Sequence, residues 1–395
     1  MTRYGGDQSG RRIVLWAIAV ATCGVLPVFL VGGLAVQIRN ELGFGTAALG
    51  IAVSLFFITQ ALSSAVVGRI VERVGSRRSM QAAALGSAAS LLCIALFANS
   101  RDGLIGFLVL GGLANAASQV AANLALARGV RTGRQGLAFG MKQAAIPAAT
   151  LLSGLAVPLV GTTIGWRWAF IGCALGALAT ACTMPKTTEG EVRHHTNEPG
   201  GDMRPAPLIL LALGIGLGSA AAVPLGAFIV ASGVDAGLRV EFAGILLAAG
   251  GAVGIVVRLA LGWLADRRSA GHLRIVAAML IVGTAGFGLL ATGVSWLFVL
   301  GTILAFGAGW GWHGLFNFAV VKYNPNAPAA ATGITQTGAA AGSAAGPLLF
   351  GVIVESTSYG TAWLSAGAGA LVAVAAILAG RWILIRHLST MPKPS

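Results

Sequence analysis

Carboxylates are scarce in this chain: 12 Asp and Glu stand against 26 Lys and Arg in 395 residues. Each acid falls in a loop, a linker or a helix end, from Asp7 to Glu355. An interior without carboxylates excludes hydrolysis by an Asp pair, and no Ser/His/Asp arrangement or metal-ligand cluster offers other chemistry. An enzyme is therefore not expected, nor any cofactor. The four cysteines, Cys23, Cys93, Cys173 and Cys182, lie in or beside apolar runs with no metal-type spacing. They read as small core residues. Only 10% of residues are charged while 56% are hydrophobic, too apolar a balance for a soluble fold of this length.

Apolar runs fill the chain instead, and about 20 such residues cross a bilayer. Twelve helices are predicted, α1 to α12. The first half holds 13–36, 46–67, 79–99, 104–127, 136–160 and 163–183. The second holds 207–231, 241–263, 274–292, 296–321, 330–354 and 360–383. The first run is too long for a signal-peptide core and reads as a retained span. Most links are very short, so neighbouring helices run antiparallel. The stretch 184–206 differs. It carries Pro185, Pro199, Pro205, several charges and His194-His195, which reads as a solvated linker rather than a metal tract. The chain thus divides into a tail (1–12), a six-helix bundle (13–183), the linker (184–206), a second bundle (207–383) and a tail (384–395).

The net charge of +14 sits in loops, where it sets topology and does not form a nucleic-acid patch. Only Arg39, Arg101, Arg167 and Arg239 fall on one side. The other loop arginines and lysines share a side with both termini and the linker. That side is expected to be the cytoplasm, in a bacterial-type plasma (inner) membrane.

The halves repeat. Gly68, Glu72 and Arg73 recur 194 positions later as Gly262, Asp266 and Arg267, and Asn123 recurs as Asn317. Gln143 and Gln336 form a similar pair. Two homologous six-helix halves joined by a linker point to a transporter with its substrate near the midplane.

With these residues the chain resembles the major facilitator superfamily over its whole length. That family's loop between helices 2 and 3 reads Gly-x-Leu-Ala-Asp-Arg-x-Gly-Arg-Arg. Gly68, Arg73, Gly75 and Arg77 match it, with Glu72 in place of Asp and Ser76 where a basic residue is common. The second copy keeps Gly262, Leu264, Ala265, Asp266 and Arg267, with Ser269 for the second glycine. The resemblance implies that Glu72 and Asp266, with the neighbouring arginines, latch the cytoplasmic side shut in one state. A carboxylate there suits a facing helix N-terminus, by roughly 0.3–1 kcal/mol. The bland alternative is that these charges only set topology and cap turns.

Inside the runs stand two fixed cations, Lys142 on α5 and Arg258 on α8, and also His313 on α10. A central cation costs about 2.5–3.5 kcal/mol on insertion scales. With no carboxylate at hand, a substrate anion is the simplest partner. Lys142 lies about 9 Å from its helix end at 1.5 Å per residue, so snorkelling competes with function. Arg258 lies deeper, about 12 Å. His313 is short, and is either a neutral hydrogen-bonding group or a proton carrier. Asn115, Gln119 and Asn123 share one face of α4, and His313 and Asn317 match the last two on α10. In this superfamily helices 1, 4, 7 and 10 line the cavity, so the resemblance places both stripes there. Helix–helix hydrogen bonding is the competing account. Gln143 and Gln336 are further candidates, as are Trp310 and Trp312.

Arg258-Leu259-Ala260-Leu261-Gly262 is similar to the helix-8 Arg-x-x-x-Gly of monocarboxylate transporters, where the arginine contacts the substrate carboxylate. Oxalate:formate exchangers pair such an arginine with a helix-11 lysine. Here that position is Thr335, and the lysine is on α5. Trp310-Gly311-Trp312-His313-Gly314 and the glycine-rich α11 resemble the cyanate-transporter branch. The expectation is a monomeric secondary transporter of a small anion, driven by exchange or by a proton carried with the substrate or on His313. Efflux of lipophilic drugs is the main alternative, although exporters of cationic drugs in this superfamily usually need an embedded carboxylate. A non-transporting receptor or scaffold is the third.

Gly338, Gly342 and Gly346 recur every four residues on α11, as do Gly172 and Gly176 on α6. Such faces predict close helix contacts. Pro27, Pro147, Pro158, Pro224 and Pro347 are expected to bend or break their helices.

Overall fold

The computed structural model describes residues 5–130, 135–184, 205–268, 270–324 and 328–390, and the side chain of Asp266 lies outside the described set. Among the described residues twelve long or segmented helices form two sets of six. The first half contains α1 (Gly5–Gly33), α2 (Thr46–Val74), α3 (Ser76–Phe97), α4 (Arg101–Gly129), a segmented α5 and α6 (Trp166–Thr183). The second contains α7 (Pro205–Asp235), α8 (Val240–Arg267), α9 (His272–Ala291), a segmented α10, α11 (Pro328–Ser356) and α12 (Tyr359–Thr390). Eleven are long and apolar enough to span by length and composition. The twelfth, α6, has 18 residues and opens Trp166-Arg167-Trp168, which dilutes its apolar character. The first helix begins at Gly5 and the last reaches Thr390, both inside stretches expected to be tails. Most of the 184–206 linker, with His194-His195, lies outside the described residues.

Proline acts unevenly. Helices α1, α7 and α11 run unbroken through Pro27, Pro224 and Pro347. Of the proline-bearing helices only α5 divides, into Gln135–Lys142, Ala145–Ala156 and a π-helical turn Val157–Gly161 that contains Pro158. Its counterpart in shape, α10, divides into Ser295–Leu304, a π-turn Ala305–Gly309 and His313–Tyr323.

Within the first half α4 packs on α1, α2 and α3, and within the second α7 packs on α11 and α12. Gly342 lets α11 touch α7: a Cβ there would run into the Gly216 backbone, 2.6 Å from its carbonyl carbon. Gly338 and Gly346 meet the Ala212 and Ala220 backbones in the same way. Gly172 and Gly176 do not repeat this. Nothing lies within 4 Å of a Cβ at either, so the α6 stripe faces no close neighbour.

The two halves meet through α2 with α11, α5 with α8, and α1 with α7. Their tightest glycine approaches lie from the middle of the membrane to the side away from the termini. A Cβ at Gly351 would sit 2.7 Å from the Thr46 carbonyl oxygen, and one at Gly32 would sit 2.6 Å from Ala227 Cα. One at Gly251 would sit 2.6 Å from both Leu151 N and Pro147 O. The α2 N-terminus has no side-chain cap of its own. Glu355, from the other half, accepts the Ala47 N–H at 2.7 Å there. On the side of the termini, Gly68, Gly262 and Gly333 have nothing within 4 Å of a Cβ. The tightest glycine contacts between the halves therefore lie away from the termini, while toward the termini the Gln135–Lys142 segment of α5 still packs on α8 and on the last segment of α10.

Arg167 fastens the far side of the first half. It donates to the Ala95 and Ala98 carbonyls at 2.9 and 3.1 Å, the free end of α3, and to Glu41 at 2.7 Å. Trp166 Nε1 donates to the other Glu41 oxygen at 2.6 Å. The Arg167 hydrogen bond holds the Glu41 carboxyl below its ordinary range. The resulting stabilisation is complete above the unfolded-state pKa of about 4.3 and fades as pH falls through the lower folded value. Glu41→Gln is expected to reduce the slope of melting temperature against pH below that range. An unchanged slope would remove Glu41 from the acid response.

Candidate functional site

In an unbroken α5 the Gln143 carbonyl would accept the N–H four residues on. That residue is Pro147, which has no N–H. The helix opens at 143–144, and the freed carbonyl points across the seam between the halves. Arg258 of α8 takes it, with Nη1 donating at 2.5 Å. Its Nη2 donates at 3.2 Å to the carbonyl of Trp310, where the π-turn of α10 has broken the regular ladder. Arg258 is 6% exposed. The sequence expectation is of a cation with no carboxylate at hand; two neutral backbone carbonyls solvate it, one from each half. Its Nε remains buried without a partner among the described residues.

Lys142, the last residue before the α5 break, is 5% exposed and does not snorkel. Its ammonium donates to Gln119 Oε1 on α4. Gln119 Nε2 donates to Asn115 Oδ1 at 3.2 Å, one turn back on the same helix face. Asn115 Nδ2 donates in turn to Gln60 Oε1 on α2 at 2.8 Å. Ser118 Oγ lies 3.2 Å from Asn115 Oδ1. The third candidate of that stripe, Asn123, is exposed and makes no hydrogen bond with a described residue.

Across the seam, His313 Nδ1 lies 3.2 Å from the Trp310 carbonyl, which only accepts, so Nδ1 carries the hydrogen. Its Nε2 faces Ser219 Oγ of α7 at 3.1 Å. Trp312 stacks on the ring with centroids 4.0 Å apart. One turn on, Asn317 Oδ1 accepts from Gln336 Nε2 of α11 at 3.1 Å. Gln143 takes part through its carbonyl, not its side chain. The sequence candidates therefore fall into three groups: Lys142 with Gln119 and Asn115, Arg258 with His313 around the Trp310 carbonyl, and Asn317 with Gln336. Gln60, Ser118 and Ser219 were missed, although Gln60, an amide within the 46–67 run, stood out on the same grounds as Asn115.

Residues 17–337 match the Major Facilitator Superfamily. The chain belongs to that superfamily. It is a multi-pass membrane transporter of that type. It is 28% identical over 383 residues to a chloramphenicol resistance protein of Streptomyces lividans, covering 92% of this chain and 95% of that protein. The fold is shared with a bacterial homolog of the human lysosomal transporter Spinster. In its inward-facing, occupied form the TM-score is 0.73 at 17% identity, with 97% and 98% of the two chains covered. In its inward-facing, unoccupied form the TM-score is 0.68 at 16% identity, with 98% and 99% covered.

Glu72 and Arg73 are exposed, and neither has a hydrogen-bond or ion-pair partner among the described residues. Gly75 makes the turn between α2 and α3 with φ of +92°, which a side chain would strain. Arg77 donates to the Met184 carbonyl at 3.4 Å, at the end of α6. In the second copy the Arg267 guanidinium sits 3.8 Å from the Trp263 ring centroid.

Proposed function

We propose that this protein is a secondary transporter that moves a small, carboxylate-like anion across the plasma membrane by alternating access. One observation carries the reading. Lys142 is buried with a neutral amide oxygen as its hydrogen-bond partner, in a membrane interior that shows no carboxylate among the described residues. A buried cation needs compensation, and a substrate anion supplies it. Lys142, Gln119 and Asn115 form one wall of the binding site. Arg258, His313, Asn317 and Gln336 form the other, with Gln143 at the seam and Asn123 at the open end. The similarity of Arg258 to the helix-8 arginine of monocarboxylate transporters supports the same substrate class, as does the cyanate-transporter likeness of α10.

Both termini and the linker face the cytoplasm in this reading, because the basic loops lie there. The sparser glycine contacts between the halves on that side support a cytoplasm-open state, the direction in which the Spinster homolog structures also face. Glu72, Arg73, Gly75, Arg77, Gly262, Asp266 and Arg267 form the gate that closes in the opposite state. The working unit is a monomer in the lipid bilayer, driven by exchange or by a co-transported proton.

Export of a neutral lipophilic compound is the second reading. The chloramphenicol resistance relative favours it, and so does the backbone solvation of Arg258, which removes one demand for an anion. Thermal shift of the purified protein separates the two readings. The ligands are acetate, oxalate, cyanate, nitrate, chloramphenicol and a lipophilic cation. A ligand at a hundredfold excess over its Kd adds about 2.7 kcal/mol to the stability. An anion is expected to raise the melting temperature of the wild type and not of Lys142→Gln. Stabilisation by chloramphenicol alone, equal in both proteins, would replace the anion reading with export.

A further inference from the structure

The hydrogen bonds leading away from Lys142 have a direction. An ammonium has three donors and no acceptor, so Gln119 must turn its oxygen to Lys142 and its NH2 away. That NH2 meets Asn115 Oδ1, so Asn115 presents its own NH2 to Gln60 Oε1. Each amide is fixed by the one before it. The last group in the row is the Gln60 NH2, which has no partner among the described residues, on a half-exposed side chain. Reversing any one amide would set donor against donor at the link to the group before it: Gln119 against Lys142, Asn115 against Gln119, or Gln60 against Asn115. A chain of this kind also polarises its members in one sense, so the Lys142 charge strengthens the terminal donor.

We infer that Gln60 is a substrate-contacting, specificity-determining residue, whose NH2 is held as a donor toward the anionic oxygens of the ligand by Lys142 acting through Gln119 and Asn115. This rests on the anion reading. It adds a fixed donor on α2, remote from the charge that orients it. A ligand offering an N–H to the same position meets a donor and is rejected. In this arrangement Gln119 and Asn115 are positioning residues, and Lys142 acts both as a charge and as the anchor of the row. The competing account is that Gln60 only ties α2 to α4. That account predicts changes in stability without changes in ligand choice.

The full-length protein in detergent is titrated with acetate and with oxalate, reading dissociation constants from thermal shift. Gln60→Leu deletes the donor, and Gln60→Glu replaces it with an acceptor at the same size. Gln60→His keeps one acceptor for Asn115 and one outward N–H. Loss of a hydrogen bond to a charged ligand corresponds to about ten- to hundredfold weaker binding. Gln60→Leu and Gln60→Glu are expected to show that loss, and Gln60→His to stay close to wild type. If Gln60→Leu does not fold, the Glu and His variants decide between themselves. Wild-type anion affinity in Gln60→Glu overturns the assignment of Gln60 and leaves the anion reading standing. No response of the wild type to either anion overturns both.

Discussion

Gly342→Leu is expected to yield no folded protein, and Gly342→Ala to lower the melting temperature markedly. The reason is that backbone meets backbone. Any Cβ at position 342 enters the carbonyl group of Gly216 and lies 2.9 Å from its Cα. Neither atom can rotate away as a flexible side chain would. Overpacking where side chains can yield costs about 1–3 kcal/mol, and here α7 and α11 must separate along their shared face instead. Gly338 against Ala212 and Gly346 against Ala220 continue that face by a turn each way, so a local shift at 342 strains all three contacts. The control is Gly172→Ala on α6. With no atom within 4 Å of the new methyl, it replaces the poorer helix former with the better one, a difference of about 0.8–1.0 kcal/mol. Melting followed by size-exclusion fluorescence measures both. A Gly342→Ala protein that melts with the wild type would refute the close approach of α7 and α11.

The same pair of glycine stripes shows how far the sequence could be read. A spacing of four defines a face of a helix, which was legible on both α11 and α6. It does not say which neighbour that face meets, and on α6 there is none close by. Pro147 gives a similar lesson. That it frees the Gln143 carbonyl follows from the missing N–H alone. That Arg258, 115 positions later, takes the carbonyl depends on how the two halves close, which no local pattern encodes. With α6 the exception, eleven of the twelve helices were legible from their own length and hydropathy. The π-turn before Trp310 was not, since the residues Ala305–Gly309 carry no breaker other than glycine. In α4 the every-fourth-residue amides were legible as a stripe. The division between Asn115 and Gln119 on one hand and exposed Asn123 on the other came from the position of Lys142.

Gly251→Ala is expected to move the protein out of the state seen here without unfolding it. Gly251 differs from Gly342 in the identity of its neighbours. A Cβ at 251 meets Leu151 and Pro147 of α5, on the opposite half of the molecule. Those contacts exist only while the halves are closed on the far side, whereas the α7–α11 contact lies within one half. A clash of about 1–3 kcal/mol confined to one state shifts the equilibrium about ten- to hundredfold toward the other. Glu355→Ala acts in the same direction, because the Ala47 N–H at the start of α2 loses its acceptor from the other half. Glu72→Ala acts in the opposite direction. Glu72 has no partner among the described residues here, so its removal leaves this state unchanged and takes from the other state whatever its carboxylate holds there. A cysteine at Thr46, 7% exposed beside Gly351 in the far-side seam, reports all three on a cysteine-free background. Its maleimide labelling should rise in Gly251→Ala and in Glu355→Ala and fall in Glu72→Ala. Equal labelling in Gly251→Ala and its parent would mean that the far-side seam does not open during the cycle, and the alternating-access reading would fail with it.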